Sequence, residues 1–201
     1  QERIEKSDLN LNQVRKILLV RQDERLGNLI LTLPLVSALR RNFPQSYISY
    51  LADETYADVL KMSPEMDEVL VIKRSTFWNP FQFKSLINKI RRTKFDLALD
   101  LSDENNFSLS NAFLTYLSKA PIRVGYEKAQ NKGFLNLEVP IIYKERHVID
   151  RHLDLLQFLT GDFSTPDFNL KIDSKNHEWA EGYLKSKNVL QNDFLIGIHI
   201  G

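Results

Sequence analysis

The sequence predicts an α/β domain built on a parallel, doubly wound sheet, and three observations carry that expectation. Short apolar runs at 17–20, 47–52, 69–72, 97–101 and 122–124 alternate with helical patterns, over about 125 residues in all, as parallel sheets with crossover helices require. The first run, Ile17 to Val20, is apolar throughout, as expected of a parallel strand covered on both faces. It leads through a polar loop with one glycine, Gly27, into a helical pattern. That strand, loop and helix form the opening unit of an open α/β sheet, whose ligands collect at the carboxyl ends of the strands. Function is therefore expected near residues 22–28.

Taken in order, residues 1–13 are polar and mixed in charge, a lead-in that is frayed or forms a short helix. After the first strand, Leu29, Leu33, Val36, Leu39 and Phe43 fall three or four residues apart and share one helix face, with Ser37, Arg40, Arg41 and Asn42 mostly away from it. A short helix is expected over 54–62, and Ser63-Pro64 breaks the chain before the third strand. Asn79 and Pro80 stand where a cap and a first-turn proline are tolerated, so a helix is predicted over 81–92. Another follows over 108–117. Residues 126–145 are less regular and are expected to be mostly loop. Val148, His152, Leu155 and Leu159 repeat at helical spacing, with Gly161 as the stop. Residues 161–171, with Pro166, read as a connection. Ser174 is expected to cap a helix to about residue 187, and 194–199 to form a last strand whose partners follow it. The domain expectation is a lead-in at 1–15, one Rossmann-like domain at 16–165, and at 166–201 a connection with the start of a second domain.

The 201 residues are 43% hydrophobic and 26% charged, enough for a real core in one large domain or a domain plus a fragment. The chain begins with Gln1 and stops at Gly201 directly after the apolar run FLIGIHI, so a fragment of a longer protein is expected. A net charge of +1 gives no overall bias toward nucleic acid or membrane, and any such preference must come from local clustering. The absence of cysteine excludes disulfides, thiolate metal sites and a cysteine nucleophile, and is compatible with a reducing cytoplasm. No apolar run approaches the roughly 18 to 20 residues that span a bilayer, and the first residues have no signal-peptide core. The motifs G-x-S-x-G, G-x-G-x-x-G and G-x-x-x-x-G-K do not occur, which disfavours hydrolase, dinucleotide-oxidoreductase and P-loop chemistry.

The run R-x-D-x-R-L-G-N-x-x-L-T-x-P, from Arg21 to Pro34, resembles the amino-terminal signature of glycosyltransferase family 9, the heptosyltransferases of lipopolysaccharide assembly. Weaker support comes from Asp100, from R-V-G at Arg123 to Gly125, and from the H-x-x-x-R-x-L-x-L-L pattern that starts at His147. The resemblance implies the acceptor-side domain of a GT-B enzyme: a Rossmann-like parallel sheet with helices on both faces, followed by a nucleotide-sugar domain. It implies an inverting, metal-independent transfer of a heptose or related sugar from a nucleotide-sugar donor, ADP-heptose above all, to a lipopolysaccharide core or lipid-linked acceptor. The enzyme would work at the cytoplasmic face of a bacterial inner membrane, without a cofactor or nucleic acid, and a monomer is expected. The isolated fragment would be inactive.

In such a transfer the acceptor hydroxyl loses its proton as it attacks the anomeric carbon, so a carboxylate within reach is the expected helper. The position after Gly27 suits it, because a helix N-terminus favours an anion. Where the family carries the aspartate regarded as its general base, this chain has Asn28, whose amide cannot take a proton at neutral pH. Asn28 is either an N-cap or an altered catalytic position. Asp23, Glu24, Asp100 and Asp103 are nearby carboxylates that could substitute, Asp23 in the same loop being the first catalytic candidate. Between Lys73 and Lys94 the chain holds seven basic and no acidic residues, interleaved with Phe77, Trp78, Phe81 and Phe83. That stretch is either a solvated helix face over core aromatics or a surface for an acidic acceptor or an anionic membrane. Lys73 and Arg74, after the third strand, are the stronger acceptor-binding candidates, with Gly27, Asp100 and Arg123. Arg123 either pairs with an acceptor carboxylate or ties its strand to Asp100, and Gly125 is expected to serve backbone conformation. His147 and His152 are five apart, off the one-face spacing of a helical metal site, so no metal is expected.

Overall fold

The computed structural model describes residues 3–22, 25–103, 105–131, 133–141, 147–164, 166–189 and 193–198. The chain divides into two compact units, Gln1–Asn169 and Leu170–Gly201. The first holds a parallel sheet of β1 (Lys16–Val20), β2 (Tyr47–Asp53), β3 (Glu68–Ile72), β4 (Leu97–Asp100), β5 (Ile122–Tyr126) and β6 (Leu137–Val139). The spatial order is β3-β2-β1-β4-β5-β6, the doubly wound Rossmann-like arrangement. Val20, the last residue of β1, stands opposite Leu51 on one side and Asp100 on the other. The exits of β1 and β4 are therefore neighbours, at the point where the strand order reverses.

Alternating side chains send β1 into two separate cores. Leu18 and Val20 join Leu70, Ile87, Ile90 and Leu114, beneath α4 (Pro80–Thr93) and α5 (Leu109–Leu117). Ile17 and Leu19, equally buried, face the opposite side, where α2 (Leu33–Asn42) packs on α6 (Val148–Thr160). A short α3 (Ala57–Lys61) precedes β3. The lead-in forms two 3-10 turns, Lys6–Asp8 and Leu11–Gln13.

Four details depart from the sequence expectations. The first helical pattern is not continuous: α1 (Leu26–Ile30) ends and α2 restarts at Leu33. Pro34 explains the break, since it has no N–H to give Ile30 and its ring would crowd that carbonyl; the Thr32 hydroxyl instead donates to Leu29 O at 2.7 Å. β6 lies inside the stretch expected to be loop, and with only Leu137 and Val139 buried it is too short to announce a period of two. In the second unit, α7 (Ser174–Ser186) is capped by Asp173 rather than Ser174, the carboxylate accepting from Lys175 N at 3.3 Å. Residues 194–198, expected as a strand, have no strand pairing among the described residues; an apolar run forms a strand only where another strand offers its hydrogen bonds. Gly161 does close α6, in the left-handed region at φ 79°, with its N–H on Gln157 O at 2.8 Å.

Candidate functional site

The loop after β1 enters α1 with Gly27 and Asn28 in its first turn. Asn28 is half-buried, and its backbone N–H donates to Arg25 O at 3.1 Å. It stands inside the helix, so the N-cap alternative falls: the cap position is Arg25, whose side chain makes no capping bond. Gly27 is exposed, its φ is not positive, and a Cβ built there would meet nothing within 4 Å. Neither backbone conformation nor packing asks for glycine in this turn, where it is a poor helix former. A side chain at this position would stand in open space. Asp23 and Glu24 lie outside the described residues.

A network of buried polar groups holds this loop to the exit of β4. Gln22 N donates to Asn111 Oδ1 at 3.0 Å, Asn111 Nδ2 to Ser102 Oγ at 3.1 Å, and Ser102 donates to Asp100 through both its hydroxyl and its N–H. Asp100 is 3% exposed. Burial pushes its carboxyl above the usual range, against the pull of the Ser102 bonds and of Lys128 and Arg21. It caps the turn after β4 from within and presents little surface to a ligand.

Arg21, the first residue past β1, opens the signature run. It is 2% exposed; it donates to Leu101 O and, at 3.1 Å, to Asp103 Oδ1, and faces His152 Nε2 at 3.5 Å. Because a guanidinium only donates, Nε2 carries the lone pair and the proton sits on Nδ1. Burial, then the neighbouring Arg21 charge, pushes His152 down to about 3. The histidine is thus a neutral acceptor that fastens α6 to the end of β1. Its place on the apolar stripe of its helix was the one sequence signal. Among the described residues, Asp103, with its side chain 27% exposed, is a carboxylate held at the switch point with an open side, and Lys128 Nζ donates to its backbone carbonyl.

The remaining candidates are not part of this cluster. Lys73 and Arg74 are exposed at the carboxyl end of β3, two strands or about 10 Å from the β1 exit. Lys73 Nζ pairs with Glu54 at 3.0 Å, an exposed pair of small energetic weight. Arg123 lies level with Ala98, not Asp100; it donates to Ala120 O at 2.6 Å and Phe134 O at 3.0 Å. The tie to Asp100 is not made, because Arg123 stands two residues short of that register. Gly125 has no positive φ and serves close packing instead of unusual conformation. A Cβ on it would stand 2.7 Å from Leu135 Cδ1 and 3.2 Å from Asp100 Cβ. Among the described residues no three His, Asp or Glu gather as a metal site, and no helix is long and apolar enough to cross a membrane.

Against known proteins, the model of glycosyltransferase family 9 (heptosyltransferase) matches residues 83–192. Lipopolysaccharide heptosyltransferase 3 of Escherichia coli K12 is 28% identical over 145 residues, covering 69% of this chain and 41% of that protein. Among solved structures, the family 9 glycosyl transferase from Veillonella parvula superposes with a TM-score of 0.81 at 25% identity, over 93% of this chain and 54% of that one. The E. coli heptosyltransferase WaaC with ADP shares the fold at a TM-score of 0.62 and 17% identity, over 77% of this chain and 50% of that chain. The chain thus spans about half the length of the solved relatives, and less of the curated one.

Proposed function

The chain belongs to glycosyltransferase family 9, and from that premise we propose that the full-length protein transfers a heptose or related sugar from a nucleotide-sugar donor to a lipopolysaccharide-type acceptor. The observation that carries the proposal for this chain is the first turn of α1. It follows β1 at the β1/β4 switch point, and the side of the turn at Gly27 is exposed and uncrowded among the described residues. There the acceptor hydroxyl attacks the anomeric carbon from the face opposite the diphosphate. A C–O bond forms as the bond to the nucleotide breaks, ADP leaves, and the configuration inverts. The hydroxyl proton must pass to a base, and Asn28 cannot be that base. It can orient the hydroxyl, leaving the proton to a carboxylate such as Asp103 or Asp23. Gly27, Lys73 and Arg74 form the acceptor side, the two cations facing acidic sugars or phosphates. Asp100 acts one layer back by holding the turn after β4, and Arg123 holds the start of β5. No metal or cofactor takes part, the sugar nucleotide is a substrate, and the work is done at the cytoplasmic face of the inner membrane.

Asn28 itself favours a second reading, a carbohydrate- or lipid-binding module on the same scaffold without turnover. The two separate on ADP release by the full-length protein from ADP-heptose in the presence of acceptor. Release above the donor-only rate supports the transferase. Acceptor binding with no release, in wild type and in Asn28→Asp alike, supports the module.

A further inference from the structure

At the start of α4, next to the acceptor-side cations, lie exposed residues to which the proposed transfer assigns no role. Trp78 is 86% exposed and Phe81 83% exposed, at the end of the 3-10 turn Arg74–Trp78 and in the first turn of α4. Asn79 holds this corner rigid, its side chain accepting from Phe81 N and Gln82 N, both at 3.1 Å. Two large aromatic side chains thus stand exposed on either side of a helix cap, behind which Ile87 and Ile90 already fill the core. Phe81, Lys84, Ser85, Asn88 and Arg92 share one shallow groove along the helix, about 16 Å from first to last.

The charge is as one-sided as the apolar exposure. Residues 73–94 hold seven basic side chains and no acidic one, while the chain as a whole has 27 basic against 26 acidic residues. The rest of the chain is therefore net acidic. Lys73 and Lys89 pair with Glu54 and Glu68, while Lys84 and Arg92 make no ion pair with any described residue. Aromatic side chains beside unneutralised cations suit the boundary of a bilayer, where the rings enter the headgroup layer and the cations meet lipid phosphates.

We propose that the amino-terminal end of α4 and the turn before it dock on an anionic lipid bilayer, with Trp78 and Phe81 entering the interfacial layer and Lys84 and Arg92 facing lipid phosphates. A parallel strand's carboxyl end precedes its helix's amino end, so this corner lies on the same edge of the sheet as Asn28. A lipid-linked acceptor reaches that edge without leaving the membrane. Docking does not depend on the transferase proposal: protein that binds vesicles need not turn over, and turnover on detergent-dispersed acceptor needs no docking.

The test is sedimentation with phosphatidylcholine vesicles, with and without about 30% phosphatidylglycerol. Binding is expected only with the anionic lipid, falling severalfold as salt rises from about 0.1 to about 0.5 M. Lys84→Glu with Arg92→Glu should weaken partitioning about tenfold or more, as should Trp78→Ser with Phe81→Ser, with far-ultraviolet circular dichroism unchanged since all four side chains are exposed. Anionic vesicles should shift tryptophan emission to the blue in the parent and not in Trp78→Phe. Turnover on detergent-dispersed acceptor should survive in all these variants. Undiminished binding by the variants, equal binding to neutral vesicles, or no binding at all would overturn the proposal. So would an equal emission shift with soluble polyphosphate, which would make the ligand a free anion, or loss of detergent-phase turnover, which would place these residues in the acceptor site.

Discussion

Gly125 and His152 are each explained by one neighbour. A methyl on Gly125 would press on Leu135 Cδ1 and Asp100 Cβ, so Gly125→Ala should destabilise the protein by about 1 to 2 kcal/mol, read as a lower urea midpoint with an unchanged slope. His152 is held neutral, its value pushed down to about 3, whereas in the unfolded chain it takes a proton near pH 6.5. Between those values the unfolded state binds more protons, so this stabilisation is complete above about pH 6.5 and fades as the pH falls. Stability should be lower by about 2 kcal/mol at pH 5 than at pH 7 from this group alone, and His152→Gln should flatten the slope. Asp100, pushed up by burial, contributes with the opposite sign and is common to both proteins. At the site, Asn28→Asp in the full-length enzyme should raise turnover by about 10² to 10⁴ if residue 28 is the position of the base. An unchanged rate would move that role to Asp103 or Asp23.

Elements follow from local chemistry wherever a single residue type decides them. Asn79 with Pro80 starts α4 and Gly161 ends α6, both legible because capping acts over three or four residues; the cap of α5 by Ser108, which accepts from Asn111 N, was not read, the helix being expected from residue 108 itself. Asn79→Ala should lower stability by about 1 kcal/mol, measurable as a drop in Tm, and should loosen the corner that carries Trp78. The misses have the same logic. Leu29 to Phe43 keeps its apolar face through the α1/α2 break, so periodicity alone ran past Pro34. β6 has three residues, and residues 194–198 carry a strand's composition without a strand's partner.

At the scale of the molecule, winding outward in both directions from β1 and β4 brings together groups that are 80 to 131 residues apart in the chain, Arg21 with Leu101, Asp103 and His152. The parallel sheet, its first five strands and the absence of cysteine chemistry were determined by the sequence alone, because periodicity, capping and composition act over a few residues. Only the tertiary structure decided that Asp100 is sealed beneath Ser102, that Arg123 binds backbone carbonyls, that Asn28 lies within a helix turn, and that Asp103 keeps an open side. Burial and hydrogen-bond partnership depend on which distant segments meet. One-dimensional spacing does not record that: a buried carboxylate and an exposed one are spelled with the same letter.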